Sequence, residues 1–171
     1  MERKFKDLID RHHGILYKIG RSYSSNEADF RDLFQEILVQ LWLSFPTFRG
    51  ESSTGTWVYR VALNTAITFH KKQSNDRLTT GNDEKLLRLA DHSWQNLEKE
   101  QKVGRQIDLL YKCIHQLKKD DRAVILLHLE GKTYEETADI LGISISYVGV
   151  KLLRIKKRLY KLLKQQGYAR I

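Results

Sequence analysis

The stretch TYEETADILGISISYVGVKLLRIKKRL, residues 133–159, decides the fold of the carboxyl-terminal half of the chain. It opens with Thr133 and Glu136 at the spacing of a capping box. In that motif the Thr hydroxyl accepts the backbone N–H of the third helical residue, and the Glu carboxylate accepts the backbone N–H of the Thr. A helix is therefore predicted to begin directly after Thr133.

Three further residues of this stretch have the spacing of a helix-turn-helix. Ala138, Gly142 and Val148 follow the pattern A-x3-G-x5-V. Alanine is small enough for two helices to cross closely, glycine adopts the positive φ of a tight turn, and valine packs the second helix onto the first. Ser144 can cap this second helix, which is predicted to extend to about residue 166.

The second helix of the pair has an apolar side and a polar side. The residues that recur at helical spacing and are predicted to face inward are Val148, Leu152, Ile155, Leu159 and Leu162. The opposite side can enter a major groove, where Lys and Arg contact phosphates or guanine edges and Val meets a thymine methyl group. The candidate DNA-binding residues of this module are Ser144, Ser146, Tyr147, Val150, Lys151, Arg154, Lys157 and Arg158.

The charge of the chain is unevenly distributed. It carries 30 Lys and Arg residues against 21 Asp and Glu residues, and no acidic residue follows Asp139. An unbalanced basic helix is typical of a protein that binds the phosphate backbone of nucleic acid. A basic solvated face and a helix on an anionic membrane are the alternatives. The helix-turn-helix spacing favours DNA.

Helical spacing of apolar residues also organises the amino-terminal half. It predicts one helix over about residues 3–20, with Gly20 as its stop, and another over 27–44 that ends before the single proline of the chain. Segment 45–55 has the composition of a loop and precedes a third helix over about 56–72. The inward residues predicted for the third helix are Trp57, Val61, Ala62, Ala66 and Phe69.

A polar stretch without sustained periodicity separates this three-helix module from the next one. Residues 74–93 are predicted to be an interdomain linker. Helical periodicity resumes in residues 94–171, which include a helix over about 120–130 that Gly131 ends. The predicted fold class is all-α, with two small helical modules, residues 1–73 and 94–171, joined by the polar linker.

Composition excludes several other classes of protein. The single cysteine, Cys113, cannot form an internal disulfide and is interpreted as a small buried hydrophobe. The histidines are scattered, no Gly-rich phosphate loop is present, and no Cys/His cluster has zinc spacing. We therefore expect neither an enzyme nor a resident metal or other cofactor. No segment has signal-peptide character or approaches the ~20 apolar residues that span a bilayer, so a cytoplasmic protein without membrane contact is expected.

Residues 29–72 form one motif block and residues 116–159 form a second, with the polar linker between them. With the two blocks in this order, the chain resembles an extracytoplasmic-function (ECF) sigma factor, the small promoter-specificity subunit of bacterial RNA polymerase. Residues 29–72 look like sigma region 2, a helical bundle, and residues 116–159 look like sigma region 4. The resemblance implies core RNA polymerase as a partner, through the clamp helices of its largest subunit and its flap. It also implies promoter DNA, both duplex and melted non-template strand. The alternative is a stand-alone helix-turn-helix regulator that binds operator DNA, which leaves the region 2 resemblance unexplained.

The resemblance also assigns site residues to region 2. The candidates for polymerase docking, which supply acidic and polar groups to a basic partner, are Asp29, Asp32, Gln35 and Glu36. Asn64 occupies the position of the family's base-contacting Asn, and an amide can read a splayed-out base with its paired donor and acceptor. The candidates for minus-ten DNA binding are Arg49, Glu51, Ser52, Ser53, Thr54, Asn64, Lys71 and Lys72. Trp57 is assigned to the core, and Tyr59 is left open between core and stacking platform.

Four residues depart from the family's pattern. Thr54 replaces an aromatic residue, and Thr68 lies where some relatives carry a polar amide, so their minus-ten sequence does not transfer. Gly149 and Val150 lie where relatives often place Arg and Ser, which predicts weak readout of the minus-thirty-five element. Phosphate affinity is then expected mainly from Lys151, Arg154 and Lys157.

A corollary of weak minus-thirty-five readout is recruitment by another DNA-bound protein, for example an activator or an RNA-guided nuclease-dead effector. An anti-sigma factor is a further partner that the resemblance implies for many members.

Overall fold

The computed structural model describes residues 1–73 and 105–167, with their side chains except at 70–73 and 105. The predicted linker at 74–93 lies outside these residues, as does the helical start expected at 94. Contacts within the chain divide it into two units, Met1–Lys102 and Val103–Ile171. All regular structure within the described residues is helical, which confirms the all-α prediction.

The first unit is built from three α-helices and one short 3-10 helix. Helix α1 spans Glu2–Tyr23, α2 spans Glu27–Ser44, the 3-10 helix spans Phe45–Thr47, and α3 spans Thr54–Gln73. The bounds predicted for the second helix are confirmed. Each α-helix packs against the other two, and burying one large apolar side chain contributes about 1.5–3 kcal/mol. The largest fully buried side chains in this core include Phe5, Ile9, Leu16, Ile19, Phe30, Phe34 and Leu63.

Gly20 lies inside α1, so the prediction that it stops the helix is wrong. The helix continues to Tyr23, and the ring of Phe30, from α2, covers Gly20: a Cβ atom there would lie 2.5 Å from Phe30 Cε2. Arg21 holds the same ring, with its Cζ 5.6 Å from the ring centroid and its Nη1 3.2 Å from Glu27 Oε2. Gly20 is therefore a point of close helix approach rather than a helix end.

Replacing Gly20 with alanine is expected to lower the free energy of unfolding of this unit by about 1–2 kcal/mol, because the new methyl group overpacks the contact with Phe30. Gly14 provides a matched control in the same helix, since a Cβ atom there meets nothing within 4 Å. Gly14→Ala is expected to stabilise the unit by about 0.5–1 kcal/mol through its higher helix propensity. Urea unfolding followed by circular dichroism measures both changes, and a shift of the two variants in the same direction contradicts the close approach.

Helix α3 begins two residues earlier than predicted. Ser53 caps it, since its Oγ accepts the backbone N–H of Thr56 at 3.1 Å. The core assignment of Trp57 is only partly right: this side chain is half-buried and stacks on Phe48, with ring centroids 5.0 Å apart. Tyr59, by contrast, is buried, which resolves its open assignment in favour of the core. The buried apolar positions of α3 form a broad stripe because this helix packs against both α1 and α2: Val58, Tyr59, Ala62, Leu63, Ala66 and Phe69.

The second unit contains four helices in its described residues. Helix α4 spans Arg105–His115, α5 spans Lys119–Leu129, α6 spans Tyr134–Leu141, and α7 spans Ile145–Gln165. Helix α7 packs against each of the other three. The predicted inward stripe of α7 is confirmed, with Leu162 partly buried beside the core. Cys113 is fully buried in the same core, as predicted, and burial raises the pKa of its thiol.

The turns around α6 have the predicted chemistry. Thr133 Oγ1 accepts the Glu136 N–H at 3.1 Å, and a Glu136 carboxylate oxygen accepts the Thr133 N–H at 2.9 Å, which confirms the capping box. These backbone and Lys132 hydrogen bonds lower the pKa of the Glu136 carboxyl group. Gly131 and Gly142 adopt φ values of +75° and +67°, the left-handed conformation that ends α5 and α6. Local signals therefore set where the helices of the helix-turn-helix begin and end.

Candidate functional site

The outward side of α7 presents a polar surface in the second unit. Ser144 caps the helix, because its Oγ accepts the Tyr147 N–H at 3.2 Å. The predicted outward residues that are exposed in the structure are Ser146, Tyr147, Val150, Arg154, Lys157 and Arg158. Cations on one side of such a helix suit a duplex with a negatively charged backbone.

Lys151 does not face away from the module, and that part of the prediction is wrong. Its Nζ lies 2.6 Å from Asp121 Oδ1 on α5, and its side chain is only 15% exposed. The same Nζ lies 5.2 Å from the centroid of the Tyr147 ring. Burial lowers the pKa of Lys151, but the hydrogen bond and charge of Asp121, together with Tyr147 and the charge of Asp120, more than offset that effect, so the pKa lies above its ordinary value. Lys151 therefore remains charged at neutral pH within an internal ion pair.

Tyr134 is a surface residue that the sequence analysis did not single out. It is the first residue of α6, its side chain is 42% exposed, and its Cε2 lies 3.5 Å from where a Cβ of Gly149 would stand. The aromatic ring therefore covers the glycine on the recognition helix. The available signal was its position directly after the capping Thr133, at the end of a helix that crosses the DNA backbone in helix-turn-helix proteins.

The acidic side of α2 is the candidate polymerase-docking surface of the first unit. Asp32 is exposed, whereas Asp29, Gln35 and Glu36 are half-buried. Asp29 contributes to the start of α2, because its Oδ2 accepts the Ser25 N–H at 2.8 Å. Glu36 Oε1 accepts a hydrogen bond from Gln40 Nε2 at 2.9 Å. Asp32 is thus the member of the set whose carboxylate is most accessible to a partner.

The loop before α3 and the exposed side of α3 form the candidate single-strand surface. Arg49, Glu51 and Thr54 are exposed, and Ser52 is half-buried. Ser53 is also exposed, but its hydroxyl is engaged in capping α3. The candidate side chains of Lys71 and Lys72 lie outside the described ones.

Asn64 is exposed on α3, one helical turn before Thr68. The Thr68 hydroxyl donates to the Asn64 carbonyl oxygen at 2.9 Å, which engages the threonine with its own helix. The Asn64 side-chain amide therefore lies on an accessible stretch of α3, at a position suited to contact a nucleotide.

Comparison with known proteins identifies both units. Residues 8–75 match the model of Sigma-70 region 2, and residues 107–159 match that of Sigma-70, region 4. The ECF RNA polymerase sigma factor SigX of Bacillus subtilis is 30% identical over 168 residues, covering 90% of this chain and 84% of SigX. The chain belongs to the ECF family of RNA polymerase sigma factors. Its function is promoter-specific transcription initiation with RNA polymerase. The matches to both sigma regions disfavour the alternative of an independent operator-binding regulator.

Other relatives and solved structures agree with this assignment. The ECF RNA polymerase sigma-E factor of Escherichia coli K12 is 29% identical over 166 residues, covering 91% of this sigma factor and 84% of the relative. The sigma factor RpoE of Bartonella quintana, solved with the anti-sigma factor NepR, matches with a TM-score of 0.67 at 20% identity, over 95% of this chain and 98% of that one. CnrH, solved with the cytosolic domain of CnrY, matches with a TM-score of 0.62 at 23% identity, over 96% and 90% of the two chains. At these identities the two solved structures support the fold alone.

The described residues contain neither a membrane-spanning helix nor a cluster of side chains suited to a metal ion. None of the helices in that part of the chain is both long and apolar enough to cross a membrane. Within the same residues, His, Cys, Asp and Glu side chains do not form a group of three or more suited to a metal ion.

Proposed function

We propose that this sigma factor divides its task between the two helical modules predicted from the sequence. Residues 1–73 dock core polymerase and capture the melted minus-ten strand, residues 74–93 link the modules, and residues 94–171 contact upstream duplex DNA. The observation that carries this division is the pair of sigma region matches, in this order, on the two units of the chain. The chain acts in the cytoplasm as a non-catalytic initiation factor and uses no metal or small-molecule cofactor.

Docking on the clamp helices of the largest polymerase subunit is assigned to the acidic side of α2. Asp29, Asp32 and Glu36 recur at helical spacing, with Gln35 beside them. Exposed Asp32 supports this assignment, because an accessible carboxylate can form a charge-assisted hydrogen bond with a basic partner without prior rearrangement. Region 4 is assigned the contact with the polymerase flap.

Minus-ten capture is assigned to the loop before α3 and to Asn64. The Asn64 amide offers a donor and an acceptor to the edge of an extruded base, while exposed Arg49 offers charge to the single-stranded backbone. The half-buried ring of Trp57, on α3, packs on the half-buried ring of Phe48, which directly precedes this loop, with ring centroids 5.0 Å apart. Lys71 and Lys72 are assigned to the same strand by their position in the sequence.

Upstream binding is assigned to α7, with weak discrimination between sequences. Gly149 has no side chain and Val150 has no hydrogen-bonding group, so two positions of the recognition helix cannot form hydrogen bonds with base edges. Exposed Arg154 and Lys157 supply sequence-independent phosphate contacts.

A second DNA-bound protein, an activator or an RNA-guided nuclease-dead effector, would then place the polymerase. The exposed apolar side chains of Leu153 and Tyr160 on α7 favour such a protein contact. An anti-sigma factor is proposed as a further partner, since the neighbour RpoE is bound to the anti-sigma factor NepR and the neighbour CnrH is bound to the cytosolic domain of CnrY.

Reconstituted transcription tests this function directly. Purified core RNA polymerase is incubated with fragmented genomic DNA of the source organism, with and without the sigma factor, and transcript starts are mapped. We expect a discrete set of starts that requires the chain and that shares a minus-ten sequence. Binding of the chain to duplex DNA without any binding to core polymerase at low salt would instead indicate an operator-binding regulator.

A further inference from the structure

The recognition helix carries an internal ion pair at a position where the sequence predicts a DNA contact. Lys151 Nζ lies 2.6 Å from Asp121 Oδ1, and the two residues are 30 positions apart in sequence, on α7 and α5. The Asp121 side chain is 24% exposed and that of Lys151 is 15% exposed. Lys151 places its ammonium group in this short charge-assisted bond, and the small exposed fraction of its side chain leaves little of that group accessible to a phosphate. As a pair the two residues add no net charge to the DNA-facing surface.

The ammonium group of Lys151 also lies over the ring of a third side chain. It lies 5.2 Å from the centroid of the Tyr147 ring, one helical turn earlier on α7. The backbone of Tyr147 is fixed as well, because its N–H donates to the capping Ser144 at 3.2 Å. A cation on one face of an aromatic ring favours one ring orientation. Tyr147 nevertheless stays 45% exposed, in the first turn of the helix.

The first turn of a recognition helix is the part that contacts base edges in helix-turn-helix proteins. Tyr147 combines an apolar ring, which can pack on a thymine methyl group, with a hydroxyl that can donate to a base acceptor or accept from a base amino group. Its neighbours at Gly149 and Val150 have no hydrogen-bonding side chain. Tyr147 is therefore the best-positioned large side chain for base contact on this turn.

We infer that Lys151 and Asp121 are positioning residues that hold Tyr147 as the specificity-determining side chain of the recognition helix, while Arg154 and Lys157 contact phosphates. This inference rests on the proposed binding of α7 to upstream duplex DNA. It reassigns Lys151 from a DNA ligand to a support for one. It also assigns to Tyr147 the sequence readout that this weakly discriminating module retains.

Four variants of the full chain separate these roles: Lys151→Met, Asp121→Asn, Tyr147→Ala and Arg154→Gln. Each is used to select from a randomised duplex library, and each is then titrated with salt on one fixed duplex. Neutralising one phosphate contributes about 0.9 to the slope of log Kobs against log salt concentration. We expect Arg154→Gln to lower the slope by about 0.9 and to keep the selected base-pair positions, whereas Lys151→Met keeps the slope.

Base selection gives the second readout. We expect Lys151→Met, Asp121→Asn and Tyr147→Ala to lose preference at the same base-pair positions, and the Tyr147→Ala/Lys151→Met double variant to be no worse than Tyr147→Ala. Asp121→Asn also releases Lys151 and is expected to raise the salt slope by up to about 0.9. The readout that a merely structural pair would not give is loss of preference at the base-pair positions that Tyr147→Ala also loses. If Lys151→Met does not fold, the base selection of Asp121→Asn tests the positioning role of the ion pair instead.

Several results would overturn the inference. A fall in salt slope for Lys151→Met equal to that of Arg154→Gln makes Lys151 a phosphate ligand. Unchanged base selection in Tyr147→Ala removes the role of Tyr147, and a wild-type chain that selects no sequence from the library removes the readout itself. Binding to core polymerase is measured in parallel, and its absence overturns the proposed sigma function without affecting the comparison of the four variants on duplex DNA.

Discussion

Reversing the charge of Asp32 and Glu36 together is expected to weaken binding of the chain to core RNA polymerase by at least about 100-fold, because a like-charge contact in an interface costs several kcal/mol and each 1.4 kcal/mol is a factor of ten. The Asp32→Arg/Glu36→Arg variant replaces two attractive contacts with a basic partner by two repulsive ones. A pull-down with purified core polymerase gives the qualitative result. Biolayer interferometry at one fixed salt concentration gives the change in Kd.

The structure tells the two substitutions apart. Asp32 is exposed, so Asp32→Arg alone leaves the packing of α2 intact, and we expect it to account for about a tenfold loss or more. Glu36 is half-buried and bonded to Gln40, so the folding of the double variant is checked by thermal unfolding. Asp7→Arg, at an exposed position of α1, changes the net charge by as much as Asp32→Arg does and is expected to bind core polymerase like wild type. Equal binding by Asp7→Arg and Asp32→Arg would argue against docking through α2.

Features specified by neighbouring residues could be predicted from the sequence. The capping box of Thr133 and Glu136, the cap at Ser144 and the positive φ of Gly142 each depend on a few adjacent positions and were found as predicted. The bounds of α2 follow from its cap at Asn26 and from the proline that comes after it. Each of these signals acts within one or two turns of helix, which is the range that a single sequence reports.

Features that depend on a distant partner could not be predicted in the same way. A glycine at the end of an apolar period is typical of a helix stop, and only the ring of Phe30 shows that Gly20 is a contact point. A lysine among basic residues on a recognition helix is typical of a phosphate ligand, and only Asp121 shows that Lys151 is engaged inside the protein. In both cases the tertiary contact overrides the local pattern. Periodicity places a residue on one side of a helix but does not identify what lies opposite.

Replacing Asn64 with alanine is expected to reduce promoter opening by about 10- to 100-fold, since good base contacts are worth about 1–3 kcal/mol each. Extruding a base costs unstacking energy, and the contacts that hold the extruded base must offset that cost. Without the amide, the polymerase holoenzyme still docks on upstream duplex DNA but holds the melted strand poorly. Permanganate reactivity of unpaired thymines on the promoters found by transcript mapping measures the open fraction.

A control variant and a control template test this prediction. Thr68→Ala lies one turn further along the same exposed side of α3, and because the Thr68 hydroxyl is engaged with the Asn64 backbone carbonyl, opening should change less than about twofold. A promoter with a preformed bubble across the minus-ten element removes the cost of melting, so the defect of Asn64→Ala should shrink on that template. Binding to core polymerase should stay at the wild-type level in both variants, since neither position lies on α2. An equal defect on duplex and bubble templates would place the role of Asn64 after melting, and a loss of polymerase binding would assign it to docking instead.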